Sequence, residues 1–273
     1  MITQRQLYQW CCDWLQREQA SSPVRLSDFE RVCIELHAGD VILVDGQSRA
    51  DDALRSITRS RWSRALLYLG PLHDIRDPAL HHQLTSLLPG AGDTRLLLDV
   101  RLDGGLILQP LSVLADEHLR ICRPRNLGDA DIAALIRHAT AKLGTGQPRS
   151  WFALLTLLLP WGLLPRRWRL PLFSLMAGSL LRQFTGTPVG EAFAFVRFPI
   201  LPLVKRIEDH QSRLYSRYPG IFFAADFDHS PYLDIIKYPF VDQQYDSRTR
   251  LLPWHSEAAE QAPPAEKPLR AVE

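Results

Sequence analysis

The chain reads as an α+β domain in which helices pack on an antiparallel sheet. Short apolar runs bounded by turn residues supply the strands. Stretches with apolar residues three and four apart supply the helices. At 273 residues the chain is long enough to bury a substantial core in one domain. Residues 1–255 are assigned to that domain.

The opening helix carries Leu7, Trp10, Cys11, Trp14 and Leu15 at i, i+3, i+4, i+7 and i+8, which makes one apolar stripe. Cys11 is therefore read as core rather than as a nucleophile. After "HAGD", residues 41–44 form a short β-branched run, and residues 65–69 read the same way. Residues 96–100, 106–108 and 119–122 continue the series, with "LDGG" as the turn between the first two. The stretch "GDADIAALIRHATAKLG" predicts a helix with Asp129 in its first turn and Gly144 at its end. Ile132, Leu135, Ile136, Ala139 and Leu143 share one face of it, whereas His138 falls off the stripe and is expected in solvent.

The most hydrophobic stretch is residues 151–181, "WFALLTLLLPWGLLPRRWRLPLFSLMAGSLL". Pro160, Pro165 and the cluster Arg166, Arg167, Trp168 and Arg169 interrupt it, so neither half reaches the ~18 residues of a spanning helix. Two readings stay open. The stretch forms core or partner-facing helices joined by a basic turn, or a helical hairpin resting on a membrane with arginine and tryptophan at headgroup level. Trp161, Arg166, Arg167, Trp168 and Arg169 are the candidate surface residues for a partner or a membrane. Residues 256–273, rich in Pro, Ala and Glu, are expected to be disordered.

Composition excludes little and suggests an ordinary globular protein: 46% apolar, 23% charged, formal charge +2. So even a balance gives no electrostatic footprint for nucleic acid. The four cysteines form neither a metal-binding pair spacing nor a disulfide framework, so no metal or cofactor is expected and a reducing compartment fits. The first residues lack the pattern of a secretory signal, and the expected location is the cytoplasm, with peripheral membrane association as a possibility.

Several short motifs recur in an order that resembles the circularly permuted papain-like hydrolases of the YiiX type, relatives of the NlpC peptidases and of lecithin retinol acyltransferase. The likeness runs over residues 36–254. "AGDVILVDGQSR", "ITRSRWSRA" and "LLYLG" resemble the family's "PGDVILV" strand, its helix ending "T-x-S-x-W-S-H-A" and its "LYIG" strand. "LLDV", "PLS" and "HLRICRP" are similar to its "L-V-E-A", "P-L-S" and "H-L-R-I-C-R-P". "DFDHSPYLDIIK" is similar to "DFD-x-SPYFDIVK".

The resemblance implies a cysteine nucleophile, a histidine base and a group that orients the imidazole. The histidine of "W-S-H-A" falls on Arg64, which cannot act as a base at neutral pH. The cysteine of "C-S-T-L-I-A-E-A-F" falls on Thr185 of "TGTPVGEAF", whose hydroxyl is a far weaker acid than a thiol. Thr187 and Pro188 read as an N-cap and first helical residue. Gln147 and Pro148 stand where the family has Tyr and Asp, and only the acid survives, as Asp99. Loss at three functional positions points to a pseudoenzyme that binds a protein partner or a lipid or acyl ligand. The alternative is a divergent hydrolase or acyltransferase of amide or ester bonds.

Other pairings are weaker. His73, His81 and His82 are read as solvated loop residues, and Cys33 and Cys122 as packed. Arg64 is expected to pair with Asp99, to hold a carboxylate or phosphate with Thr185, or to reach solvent along its alkyl stem.

Overall fold

The computed structural model describes residues 3–18, 27–75, 77–88, 94–102, 105–143, 151–176, 185–206, 212–216 and 222–236. At 152, 153, 166, 170, 174, 202–206 and 212–216 only the backbone is described. Gly144, Gln147, Pro148 and the tail 256–273 lie outside the described residues.

The strands are β1 (Val41–Asp45), β2 (Arg64–Pro71), β3 (Arg95–Arg101), β4 (Gly105–Pro110), β5 (His118–Pro124), β6 (Pro202–Arg206), β7 (Ser212–Ser216) and β8 (Leu233–Ile236). Six of them form one sheet in the order β4-β3-β2-β1-β5-β8, and every pairing in it is antiparallel. The remaining two, β6 and β7, form a separate hairpin. Around the sheet stand α1 (Gln4–Gln16), α2 (Phe29–Glu35), α3 (Arg49–Thr58), α4 (Pro78–Leu87), α5 (Asp129–Thr140), α6 (Trp151–Leu157), α7 (Arg166–Met176), α8 (Thr187–Phe195) and α9 (Ala224–Asp228). The architecture is α+β.

Both faces of the sheet are covered, so its central strands are apolar without interruption rather than alternating. In β1 and β2, Val41, Leu43, Ala65, Leu67 and Leu69 join a large core cluster with residues of α1, α3 and α5 to α9. Ile42, Val44, Leu66 and Tyr68 point the other way, into a smaller cluster with Val32 of α2 and the 3₁₀ turn Leu111–Leu114. This parity fixes which side chains can meet.

Three sequence expectations need correction. In α1 the buried stripe is Tyr8, Cys12 and Leu15, while Trp10 is 61% exposed and Cys11 is only partly covered. His138 is only partly exposed, with its ring stacked at 4.3 Å on Phe195, which is itself exposed. His81 and His82 lie on α4, capped by Asp77, rather than on a loop.

Candidate functional site

The connection from β1 to α3 is tight, and it builds the first wall of the site. Ser48 caps α3 and shares a capping box with Asp51: the Asp51 carboxylate accepts from the Ser48 N–H at 3.1 Å and from its hydroxyl at 2.5 Å through Oδ2. A side chain at Gly46 would collide with this carboxylate, so only glycine fits there. Asp51 Oδ1 is left facing Arg64 Nε at 3.5 Å, too far for a hydrogen bond.

Arg64 opens β2 at the same end of the sheet. Its Nη1 donates to Asp99 Oδ2 on β3 at 3.0 Å, and its Nη2 lies 3.7 Å from Glu117 Oε1, just before β5. Asp99 also accepts from the Val100 N–H at 2.7 Å and from Gln109 Nε2 at 2.5 Å. The expected Arg64–Asp99 pair is present, and two further carboxylates complete a ring about one guanidinium. The Arg64 side chain keeps 19% exposure. It is held rather than free to reach solvent.

The electrostatics follow from this crowding. Burial alone would lower the Arg64 pKa, but Asp99, Asp51, Glu117 and Glu18 together outweigh it and the net shift is upward. Arg64 is thus a permanent cation. Burial raises Asp99 against the pull of Arg64, and burial pushes Glu117 up to about 7 despite the same guanidinium, with Asp51 adding repulsion.

Thr185 does not share this site. Arg64 lies on the Leu66 side of β2 by strand alternation, and Asp99 lies on the Leu97 side of β3, both in the smaller cluster. Helix α8, which Thr185 precedes, covers the opposite face: a Cβ at Gly186 would sit 3.1 Å from the Cβ of Ala65. The base and nucleophile positions implied by the resemblance therefore stand on opposite sides of the sheet. Thr185 is buried, and its hydroxyl bonds to that of Thr187 at 2.9 Å, while Thr187 Oγ1 accepts from the Phe222 N–H at 3.0 Å. Phe222 and Phe227 pack over the start of α8, against Gly190 and Gly186. Gly186, not Thr187, is the cap, so the helix begins one residue earlier than expected.

The basic cluster of the hydrophobic stretch divides in two. Trp161 is buried, stacks edge-on to Phe173 and donates from Nε1 to the Thr156 carbonyl at 2.9 Å. Arg169 is buried too, donating to the carbonyls of Leu164 at 2.8 Å, Ser56 at 2.7 Å and Gly162 at 2.9 Å. Both leave the set of surface candidates, because they join α6, α7 and α3. Arg167 and Trp168 remain on the surface, as do Leu155, Leu158, Leu163 and Leu175, and the side chain of Arg166 is outside the described set. No helix among the described residues is long and apolar enough to cross a membrane.

Two more features were missed by sequence reasoning. Ser27 Oγ lies 3.4 Å from His118 Nδ1, with His118 stacked on Trp62. A cavity of about 880 Å³ opens at the other end of β2, walled by Leu36, Tyr68, Leu80, Arg95 and Ile132. Two of the thiols, Cys122 and Cys33, are poor nucleophiles. Burial pushes Cys122 up to about 12 and raises Cys33, which keeps both protonated.

No protein-family model matches the chain, and a search of curated proteins returns no match.

Proposed function

We propose that this chain is a non-catalytic derivative of the permuted papain-like hydrolases and that it works by binding, with an anionic lipid surface as its partner. The observation that carries the loss of catalysis is Arg64, a permanent cation enclosed by Asp99, Asp51 and Glu117 and placed across the sheet from Thr185. An imidazole there would take up and release a proton; this guanidinium does neither. The papain-like reading is supported by where the quoted motifs fall: on β1, the end of α3, β2, β3, β5, α8 and β8, all within or against one antiparallel sheet.

The lipid reading is supported by the α6 to α7 face. Leu163 and Leu175 are each 85% exposed in this stretch, and Trp168 and Arg167 are exposed as well. The sequence has no Asp or Glu between Asp131 and Glu191, so nothing acidic within this stretch opposes an anionic headgroup.

A second reading, a divergent hydrolase or acyltransferase, is favoured by the Ser27–His118 approach alone. It is the weaker one, because Ser27 is buried and its oxygen already accepts from the Leu119 N–H at 3.0 Å. The test is to offer the purified protein acyl and peptidyl esters, and separately anionic and zwitterionic vesicles. No turnover and selective sedimentation with anionic vesicles are expected. Turnover abolished by Thr185→Ala or by His118→Ala overturns the non-catalytic reading, and sedimentation unchanged in a Leu163→Ser, Trp168→Ser, Leu175→Ser variant overturns the lipid one.

A further inference from the structure

A polar cavity of about 90 Å³ lies beside Arg64, between the end of α1, the start of α3 and the approach to β5. Gln16, Asp51, Arg64 and Glu117 line it, and Glu18 stands exposed at its edge. Among the described residues, four buried side-chain atoms have no hydrogen-bond partner: Gln16 Oε1, Asp51 Oδ1, Arg64 Nε and Glu117 Oε2. All four belong to the lining of this cavity. Leaving such atoms unpaired costs about 1–3 kcal/mol each, and folded proteins rarely tolerate a group of them. The convergence points to something that fits between them.

We propose that the cavity binds a small hydrogen-bond-donating cation, ammonium or the terminal ammonium of a primary amine. Asp51 Oδ1 and Arg64 Nε face each other at 3.5 Å, and the two atoms that remain, Gln16 Oε1 and Glu117 Oε2, are both acceptors, so the unmet demand is for donors. An ammonium group supplies three or more N–H donors and accepts none. The charge has the matching sign: Asp51, Asp99, Glu117 and Glu18 surround a single guanidinium, and the side chains of Asp51 and Glu117 are only 3% and 10% exposed. Buried excess negative charge calls for a counter-cation or a proton. The volume equals a few water molecules, enough for ammonium or methylammonium and too small for a bulky ligand.

A carboxylate or phosphate, the ligand expected at Arg64 from the sequence, would add negative charge where three carboxylates already lie within 4 Å of the guanidinium. No group of three or more His, Cys, Asp or Glu that could hold a metal ion occurs among the described residues. The site stands apart from the lipid face and does not depend on that reading.

The test is a titration of the full chain at pH 8 and constant ionic strength, followed by calorimetry and by melting temperature. Ammonium and methylammonium chloride are compared with tetramethylammonium and sodium chloride. Saturable binding of the first two is expected, with no response to tetramethylammonium, which has the charge but no N–H. Glu117→Gln, which removes a charge already disfavoured by burial and should fold, is expected to weaken ammonium binding about tenfold, the loss of one charged hydrogen bond. An equal response to all four salts, or a response confined to sodium, overturns the proposal. So does ammonium binding that Glu117→Gln leaves unchanged.

Discussion

Arg64 and Arg169 are both largely withdrawn from solvent, and they are satisfied by different chemistry. Arg64, at the end of the sheet, is ringed by the carboxylates of Asp99, Asp51 and Glu117. Arg169, at the joint of α6 and α7, reaches only backbone carbonyls, of Leu164, Ser56 and Gly162, in the hydrogen bonds described for it. Carbonyls do not titrate, so the joint is a fixed structural clamp. Carboxylates do, so the Arg64 end is a region whose charge responds to pH and to ligands. The difference teaches which buried cation to regard as scaffold and which as site.

The largest effects should come from emptying either region. Arg64→Ala leaves three clustered carboxylates without their cation and should cost about 3–5 kcal/mol in urea denaturation at neutral pH. Trp161→Ala, which removes the ring that seals the joint against Phe173, should cost a similar 3–5 kcal/mol or so. Only the first loss should shrink as the pH falls, because protonation relieves the carboxylates. A pH-independent Arg64→Ala penalty would erase the distinction between the two regions.

The wild-type pH profile sharpens the contrast further. Glu117 has an ordinary carboxyl value of 4.5 when unfolded and about 7 when folded, so the native chain binds the proton more tightly. Native stability is then greatest toward the lower end of that interval and is lost as pH rises from about 4.5 to about 7. Burial of Asp99 acts in the same direction. Glu117→Gln should flatten the profile. Arg169→Lys, whose single ammonium cannot span three carbonyls, should lower the whole curve without changing its slope.

Smaller effects belong to the opposite face of the sheet. Gly186→Ala sets a methyl 2.7 Å from Phe227 Cε2 and should cost about 1–3 kcal/mol by overpacking. Thr185→Ala removes one hydroxyl pairing with Thr187 and should cost about 1 kcal/mol. Neither should alter vesicle binding.

Much of this was legible in the sequence, and the gaps have physical causes. The five strands β1 to β5 announced themselves because buried strands are short apolar runs between turn residues. Arg64 and Asp99 could be paired in advance because β2 and β3 are neighbours. Asp51 and Glu117 could not, since only the tight β1–α3 connection and the approach to β5 bring them to the guanidinium. The resemblance sets Thr185 in the same cleft as Arg64 but does not say which face of β2 its helix covers, and a single residue of register decides that. In α1 two overlapping stripes compete, one through Leu7, Trp10 and Trp14 and one through Tyr8, Cys12 and Leu15, and periodicity does not choose between them. Trp161 and Arg169 looked like headgroup residues because prolines break the helical pattern that would have shown their inward face.

The account stands on Arg64 being bound to its carboxylates rather than merely near them. A double-mutant cycle combining Arg64→Met with Asp99→Asn, read by urea denaturation at pH 7, measures that directly. The account predicts a coupling of at least about 1 kcal/mol between the two positions. Additive losses, within about 0.3 kcal/mol, would contradict it.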